Sequence, residues 1–353
     1  MCGATGESVG LAAPLAGRVC GATGESVGLA APLAGRVFLQ EGEPVELIRD
    51  LDSIDPRFRG GVLSVGVFDG VHLGHQKVLG RAAERARAAG APAVVFTFHP
   101  HPLAMLRPQD APPLIQTFGQ KLELMRALGV AAVVWPRDGR AVLAMSPETF
   151  FDRVVRGALG ARAVVEGADF RFGAGASGDR ERLAALAGSR GIEAEFVADA
   201  VADGERVSST RIRRLIAAGS VAEAARCLGR PYRFQGTVVE GRHLGARLGY
   251  PTVNIYAPRF LVPAEGVYAG RAVVGGAALP AAVSVGRAPT FPGDRPLAVE
   301  AFILGFDGEL YGEQVGVDFV EYLRPQEAFA DADALRARMA EDCRRVRETL
   351  AAR

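Results

Sequence analysis

The spacing of hydrophobic positions changes partway along the chain and divides it in two. From Val62 to about Leu228, short apolar runs alternate with stretches of helical periodicity. The runs at 62–68, 93–98, 130–135, 163–165 and 194–197 read as buried strands. Helical patterns occupy about 74–89, 120–128, 147–159 and 180–188, and 210–218 and 221–228 close the series. This alternation predicts an α/β domain with a doubly wound parallel sheet, whose ligands sit where strand C-termini lead into helices. After Gly229-Arg-Pro-Tyr232 the pattern becomes six strand-like pieces, at 232–239, 252–255, 266–274, 281–285, 298–304 and 315–322, followed by one helix at 333–350. That predicts a small antiparallel β-barrel with a C-terminal helix. The expected domains are therefore 38–228 and 229–353.

The region before them is different. Residues 2–19 recur without change as residues 20–37. Two short copies do not make a solenoid, and the segment lacks the basic start of a signal peptide. It is too poor in large apolar side chains to fold alone, so residues 1–37 are expected to be a disordered duplicated extension.

Composition narrows the function classes. The 353 residues are 49% hydrophobic and 23% charged, ordinary for a globular protein of about two domains. A net charge of +1 leaves no basic footprint for nucleic acid, although small anionic substrates need only local charge. The four cysteines form no CxxC or Cys/His ligand spacing, which argues against a disulfide framework or structural zinc. The longest run without charge, 88–106, is broken by glycine and prolines, so no membrane span is expected. A cytoplasmic enzyme is the default, and nothing in the sequence bears on oligomeric state.

Two glycine-rich segments carry the chemistry. The first, Gly66-Val-Phe-Asp-Gly-Val-His-Leu-Gly-His75, runs from a strand into a helix. A helix start there puts His72 and His75 on nearly the same face. Free N–H groups and the helix dipole favour an anion, and Gly70 and Gly74 let backbone approach it. The same residues also fit a capped surface turn, while HExxH metal spacing is absent. Further on, Arg206-Val-Ser-Ser-Thr-Arg-Ile-Arg213 opens a helix. Its Ser208, Ser209 and Thr210 are either N-caps or, with the arginines, a triphosphate cradle. The second segment places Gly241, Gly245 and Gly249 ahead of Pro251-Thr-Val-Asn254. It is either a glycine-rich hairpin or a phosphate wrap in which Thr252 and Asn254, on one strand face, offer oxygens to Mg²⁺. Glu300, in an otherwise apolar strand, is either edge-exposed or poised in a site.

In this order GxFDGxHxGH, Thr97 to Pro102, Gly167 to Gly173 and SSTRIR resemble the adenylyltransferase half of bacterial bifunctional riboflavin kinase/FAD synthetases. The second segment, with 266–268, 289–291 and 322–325, resembles the kinase half. The resemblance spans about 60–350 and implies two reactions using ATP and Mg²⁺: riboflavin to FMN, then FMN to FAD plus pyrophosphate. It implies that His72 and His75 stabilise the transferred adenylyl group. Gly66, Phe68, Asp69, Gly74, Ser208, Ser209, Thr210 and Arg213 would bind ATP, with Asp69 holding the loop or touching the nucleotide. His101, Asp169, Phe170 and Arg324 would contact the flavin. Gly241, Gly245, Gly249 and Pro251 would hold the second ATP, Thr252 and Asn254 the Mg²⁺, and Glu300 would be the general base. Val67, Ala176, Ala246 and Phe302 depart from residues usual in the family. Two other readings remain: a kinase-only member whose first half merely binds nucleotide, and a non-enzymatic flavin-binding protein.

Overall fold

The computed structural model describes residues 45–241, 245, 248–287 and 297–352. The repeat at 1–37, Ala246 and the motif at 289–291 lie outside the described residues.

The first half begins with β1 (Glu46–Ile48), β2 (Val62–Val65), α1 (Leu73–Ala88), β3 (Ala93–Phe96) and α2 (Pro102–Leu106). It continues through α3 (Phe118–Ala127), β4 (Ala132–Val134), α4 (Gly139–Leu143) and α5 (Pro147–Phe150), which runs on as a π-helical stretch, Phe151–Ala158. Then come β5 (Ala163–Gly167), α6 (Arg180–Gly188) and β6 (Glu193–Val197). The six strands form one parallel sheet in the order β1-β4-β3-β2-β5-β6. Its central strands β4, β3 and β2 are apolar but for Ser64 because both faces are covered. Val62, Ala93, Val133 and Val165 pack towards α1 and α3, while Leu63, Phe96, Val134 and Val164 face a core containing Val142, Phe150 and Leu186 of α4–α6.

A short hairpin, β7 (Val201–Ala202) with β8 (Glu205–Arg206), precedes α7 (Ser209–Ala217) and α8 (Val221–Leu228). The second half contains β9 (Tyr232–Val239), β10 (Thr252–Tyr256), β11 (Gly266–Val274), β12 (Ala277–Arg287), β13 (Leu297–Ile303) and β14 (Gln314–Arg324), then α9 (Ala332–Ala351). The strands close into an antiparallel barrel in the order β10-β13-β12-β11-β14-β9. Alternation places Val299, Ala301 and Ile303 of β13 in its core and leaves Glu300 and Phe302 on its outer side. The alternating α/β fold and the six-stranded barrel with its C-terminal helix are those predicted from the pattern. The pattern did not reveal β1, α2, α4 or the β7–β8 hairpin, in none of which a helix or strand exceeds five residues.

The two halves share a core. Val207, Ile212, Ile216, Val221 and Leu228 from the α7–α8 region pack in one cluster with Tyr232, Phe234, Tyr268 and Phe319 of the barrel. The segment before α3 also pairs with the barrel: Leu114 N donates to Arg259 O at 3.0 Å, and Leu261 N donates to Leu114 O at 2.9 Å.

Candidate functional site

Val65 ends β2, and the chain then turns sharply into α1. Phe68 (φ 50°), Gly70 (φ 89°) and Val71 (φ 35°) all adopt left-handed conformations, rare for a β-branched residue such as Val71. The turn ends at His72, the N-cap of α1, whose Nδ1 accepts a hydrogen bond from His75 N at 3.3 Å. That bond fixes the tautomer. The proton of a neutral His72 sits on Nε2, where it is available to an anion. Burial, then the charge of Arg230, pushes His72 down to about 4, and burial, then His72, holds His75 well below the ordinary histidine range. Both imidazoles are therefore neutral near pH 7. His75 Nδ1 is buried without a hydrogen-bond partner among the described residues.

A cavity of about 290 Å³ opens beside this pair, lined by Gly66, Phe68, His72, Gly74, His75, Asp169, Phe170, Arg206, Ser208 and Ser209. The small residues are required here. A Cβ on Gly66 would lie 2.9 Å from the Phe68 ring, and one on Gly74 would come within 3.2 Å of the His72 ring. Ser208 caps α7, its Oγ accepting from Arg211 N at 3.2 Å, and Ser209 Oγ donates to Asp69 O at 2.8 Å. Thr210 is exposed. Both sequence readings of the serines thus meet in one place: they order backbone and they line the cavity. Arg206 pairs with Asp169, and Phe170 stacks on Phe172 with centroids 5.5 Å apart.

Asp69 and Arg213 are brought together. Asp69 is buried, pairs with Arg213 and accepts from Ile115 N at 3.2 Å. Asp69 also lines a narrower crevice with Val67, His99, His101, Gln116 and Lys121. His101 is therefore in this crevice, while Asp169 and Phe170 are in the larger cavity. Sequence reasoning missed Lys121, Glu166 and Arg230. Burial lowers Lys121 to about 8 while its Nζ donates to Val67 O at 2.8 Å. Glu166 lines the larger cavity and accepts from Val65 N at 2.6 Å, and burial raises its carboxyl well above the ordinary range. No spacing rule marks any of the three.

In the barrel, strand register brings together residues of the second candidate site. Asn254 of β10 lies directly opposite Glu300 of β13, and Glu300 in turn lies opposite Ser284 of β12. Thr252, two residues before Asn254, shares its face and lies opposite Phe302. Gly241 packs against this face, where any Cβ would fall on the Asn254 amide. Gly245 is pressed against Tyr250 O, and Gly249 takes a positive φ of 84°. Pro251 and Thr252 also line a cavity of about 220 Å³ with Phe306, Asp307, Glu309 and Tyr311 from the β13–β14 loop, which sequence reasoning passed over. Phe302 meets the Tyr250 ring edge-on at 5.1 Å. Arg324 is buried, with its Nε and Nη2 on Asp342 of α9 at 2.9 and 2.6 Å, and so clamps that helix to the barrel.

Comparison with known proteins follows the same division. Residues 55–211 match the FAD synthetase family and residues 228–350 the riboflavin kinase family. A bifunctional riboflavin kinase/FMN adenylyltransferase of Pseudomonas fluorescens is 34% identical over 292 residues, covering 83% of this chain and 94% of that protein. One from Escherichia coli K12 is 32% identical over 300 residues, covering 84% and 96%. A crystal structure described as a macrolide-efflux protein from Streptococcus pneumoniae superposes with a TM-score of 0.78 at 29% identity, over 86% of this chain and 99% of that one. Among the described residues here, no helix is long and apolar enough to cross a membrane.

Proposed function

The chain belongs to the bifunctional riboflavin kinase/FMN adenylyltransferase family, and we propose how its two sites divide the chemistry. The enzyme phosphorylates riboflavin with ATP in the barrel and adenylylates FMN with ATP in the α/β domain.

In the α/β domain, a phosphate oxygen of FMN attacks the α-phosphorus of ATP. The bond to the β-phosphate oxygen breaks and pyrophosphate leaves. The attacking phosphate is already an anion, so no base is needed, and catalysis comes down to positioning and charge stabilisation. Neutral His72 donates from Nε2 to the phosphate oxygens as negative charge gathers there. His75, stacked on it and backed by Phe68, fixes its plane. Ser208, Ser209, Thr210 and Arg206 border the phosphates, while Gly66, Phe68 and Gly74 shape the wall. Asp69 and Arg213 act on ATP through the loop they hold. Asp169 and Phe170 on one side and His101 on the other flank the flavin nucleotide.

In the barrel, Glu300 takes the proton from the terminal ribityl hydroxyl as its oxygen attacks the γ-phosphorus, and ADP leaves. Gly241, Gly245, Gly249 and Pro251 form the phosphate wall, and Arg324 supports the flavin side by fixing α9. Thr252 and Asn254 present oxygen donors on one face beside Glu300, a set suited to a hard cation. Thr252 and Asn254 would hold Mg²⁺, which would supply positive charge to offset that of the phosphates. The observation that carries this reading is the neutral, stacked His72–His75 pair in a cavity that also holds Ser208 and Ser209.

Labelled ATP tests it. Label at the γ-phosphorus is expected in FMN and label at the α-phosphorus in FAD. Label from the α-phosphorus remaining wholly in free nucleotide would overturn the adenylyl assignment.

A further inference from the structure

Each carbonyl from Val67 to Val71 accepts a hydrogen bond from a side chain. Lys121 Nζ holds Val67 O at 2.8 Å, Gln116 Nε2 holds Phe68 O at 3.0 Å, and Ser209 Oγ holds Asp69 O at 2.8 Å. Arg230 Nη2 holds Gly70 O at 2.7 Å. Val71 O accepts from both Gln76 Nε2 at 2.8 Å and Arg230 Nη1 at 3.2 Å. This is the turn that contains Phe68 and Val71 at positive φ. Backbone in so unfavourable a conformation persists only where its surroundings over-determine it.

Arg230 differs from the other holders. It lies at the junction, between α8 and β9, and reaches back across 160 residues of sequence to Gly70. Among the described residues its four acceptors, the carbonyls of Gly70, Val71 and Leu228 and the Gln116 amide oxygen, are all uncharged. A fully buried arginine is ordinarily paired, whereas Arg230 is half-buried and holds backbone and amide oxygens. This one keeps its charge beside the histidine pair.

We propose that Arg230 is a positioning residue for adenylyl transfer: from the barrel junction it fixes the backbone of the 67–71 turn so that His72 and His75 face the nucleotide cavity. This rests on the FAD-forming reading of that cavity. Its charge has a second effect. The charges acting on His72 are those of Arg230 and Arg206, which favour the neutral ring, and Asp169, which opposes them. His75 is stacked against it. Removing Arg230 therefore makes His72 easier to protonate.

The experiment uses full-length Arg230→Met and Arg230→Lys, measuring FAD formed from FMN and FMN formed from riboflavin. In Arg230→Met, kcat for FAD formation is expected to fall about 10²-fold, the scale of a misplaced catalytic group, while FMN formation holds. The acid limb of FAD formation should move to higher pH in Arg230→Met and stay in place in Arg230→Lys, which keeps the charge. Added guanidinium should restore part of the Arg230→Met rate. Unchanged FAD formation would overturn the proposal. So would an equal fall in both activities together with a lowered Tm, because Arg230 would then merely support the fold. A parent enzyme that forms no FAD would instead remove the reading on which the proposal rests.

Discussion

The imidazoles of His72 and His75 lie face to face, their centroids 3.6 Å apart and their planes 17° from parallel. Two imidazolium rings would not tolerate that arrangement, so the pair holds while both rings are neutral.

This sets an acid limit on stability. His72 titrates near 4 in the folded chain and near 6.5 when unfolded, so between those values the unfolded state binds more protons. Stability is expected to fall as pH drops from about 6.5 to about 4. His72→Asn keeps an oxygen to cap α1 but removes the titration. Thermal unfolding followed across this range should give a shallower acid loss in His72→Asn. Identical slopes would mean that the pair does not titrate as described.

Glu166 gives the opposite sign. Its folded carboxyl titrates well above its ordinary value, so its contribution to stability is complete below about 4.5 and is lost as pH rises. Glu166→Gln keeps an oxygen for Val65 N and cannot ionise. The Tm of Glu166→Gln relative to the parent should therefore increase from pH 5 towards pH 9. A constant difference would show that Glu166 is not held neutral.

The shared core predicts where the barrel can be cut. A fragment beginning at 229 loses α7 and α8, of which α8 packs against β9 and β14, and with them Ile212, Ile216, Val221 and Leu228 from the cluster that holds Tyr232, Phe234 and Phe319. Each buried aliphatic side chain is worth about 1.5–3 kcal/mol. A fragment beginning at 199, which retains α7 and α8, should melt higher and hold riboflavin kinase activity better. Equal melting of the two fragments would show that the barrel does not depend on those helices.

The layers of this fold were largely legible because strands and helices alternate in the first half and strands recur with turns between them in the second, whereas the strand order was not. The run at 62–68 nevertheless overran: the strand stops at Val65, and Val67 and Phe68 belong to the turn. Three-residue β1 begins with Glu46 and is too short to show a period. The histidines and the Thr252, Asn254 and Glu300 set were visible as motifs. Arg213 was visible as part of its motif, but its pairing was not. Its partner Asp69 is 144 residues away, and only folding brings them together. Lys121 and Arg230 were hidden for the same reason, since what distinguishes them is the carbonyls they reach.

The central claim is that one chain carries two reactions at two separate sites. Its most direct test pairs the full-length variants His72→Asn and Glu300→Gln. Each is assayed alone with riboflavin, ATP and Mg²⁺ and with FMN, ATP and Mg²⁺, and the two are then mixed. His72→Asn should form FMN but lose FAD formation by about 10²–10³. Glu300→Gln should form FAD from FMN but lose FMN formation by about 10²–10⁴. The mixture should convert riboflavin to FAD, because FMN released by one variant serves the other. Loss of both activities in either folded variant, or a mixture that makes no FAD from riboflavin, would contradict the account.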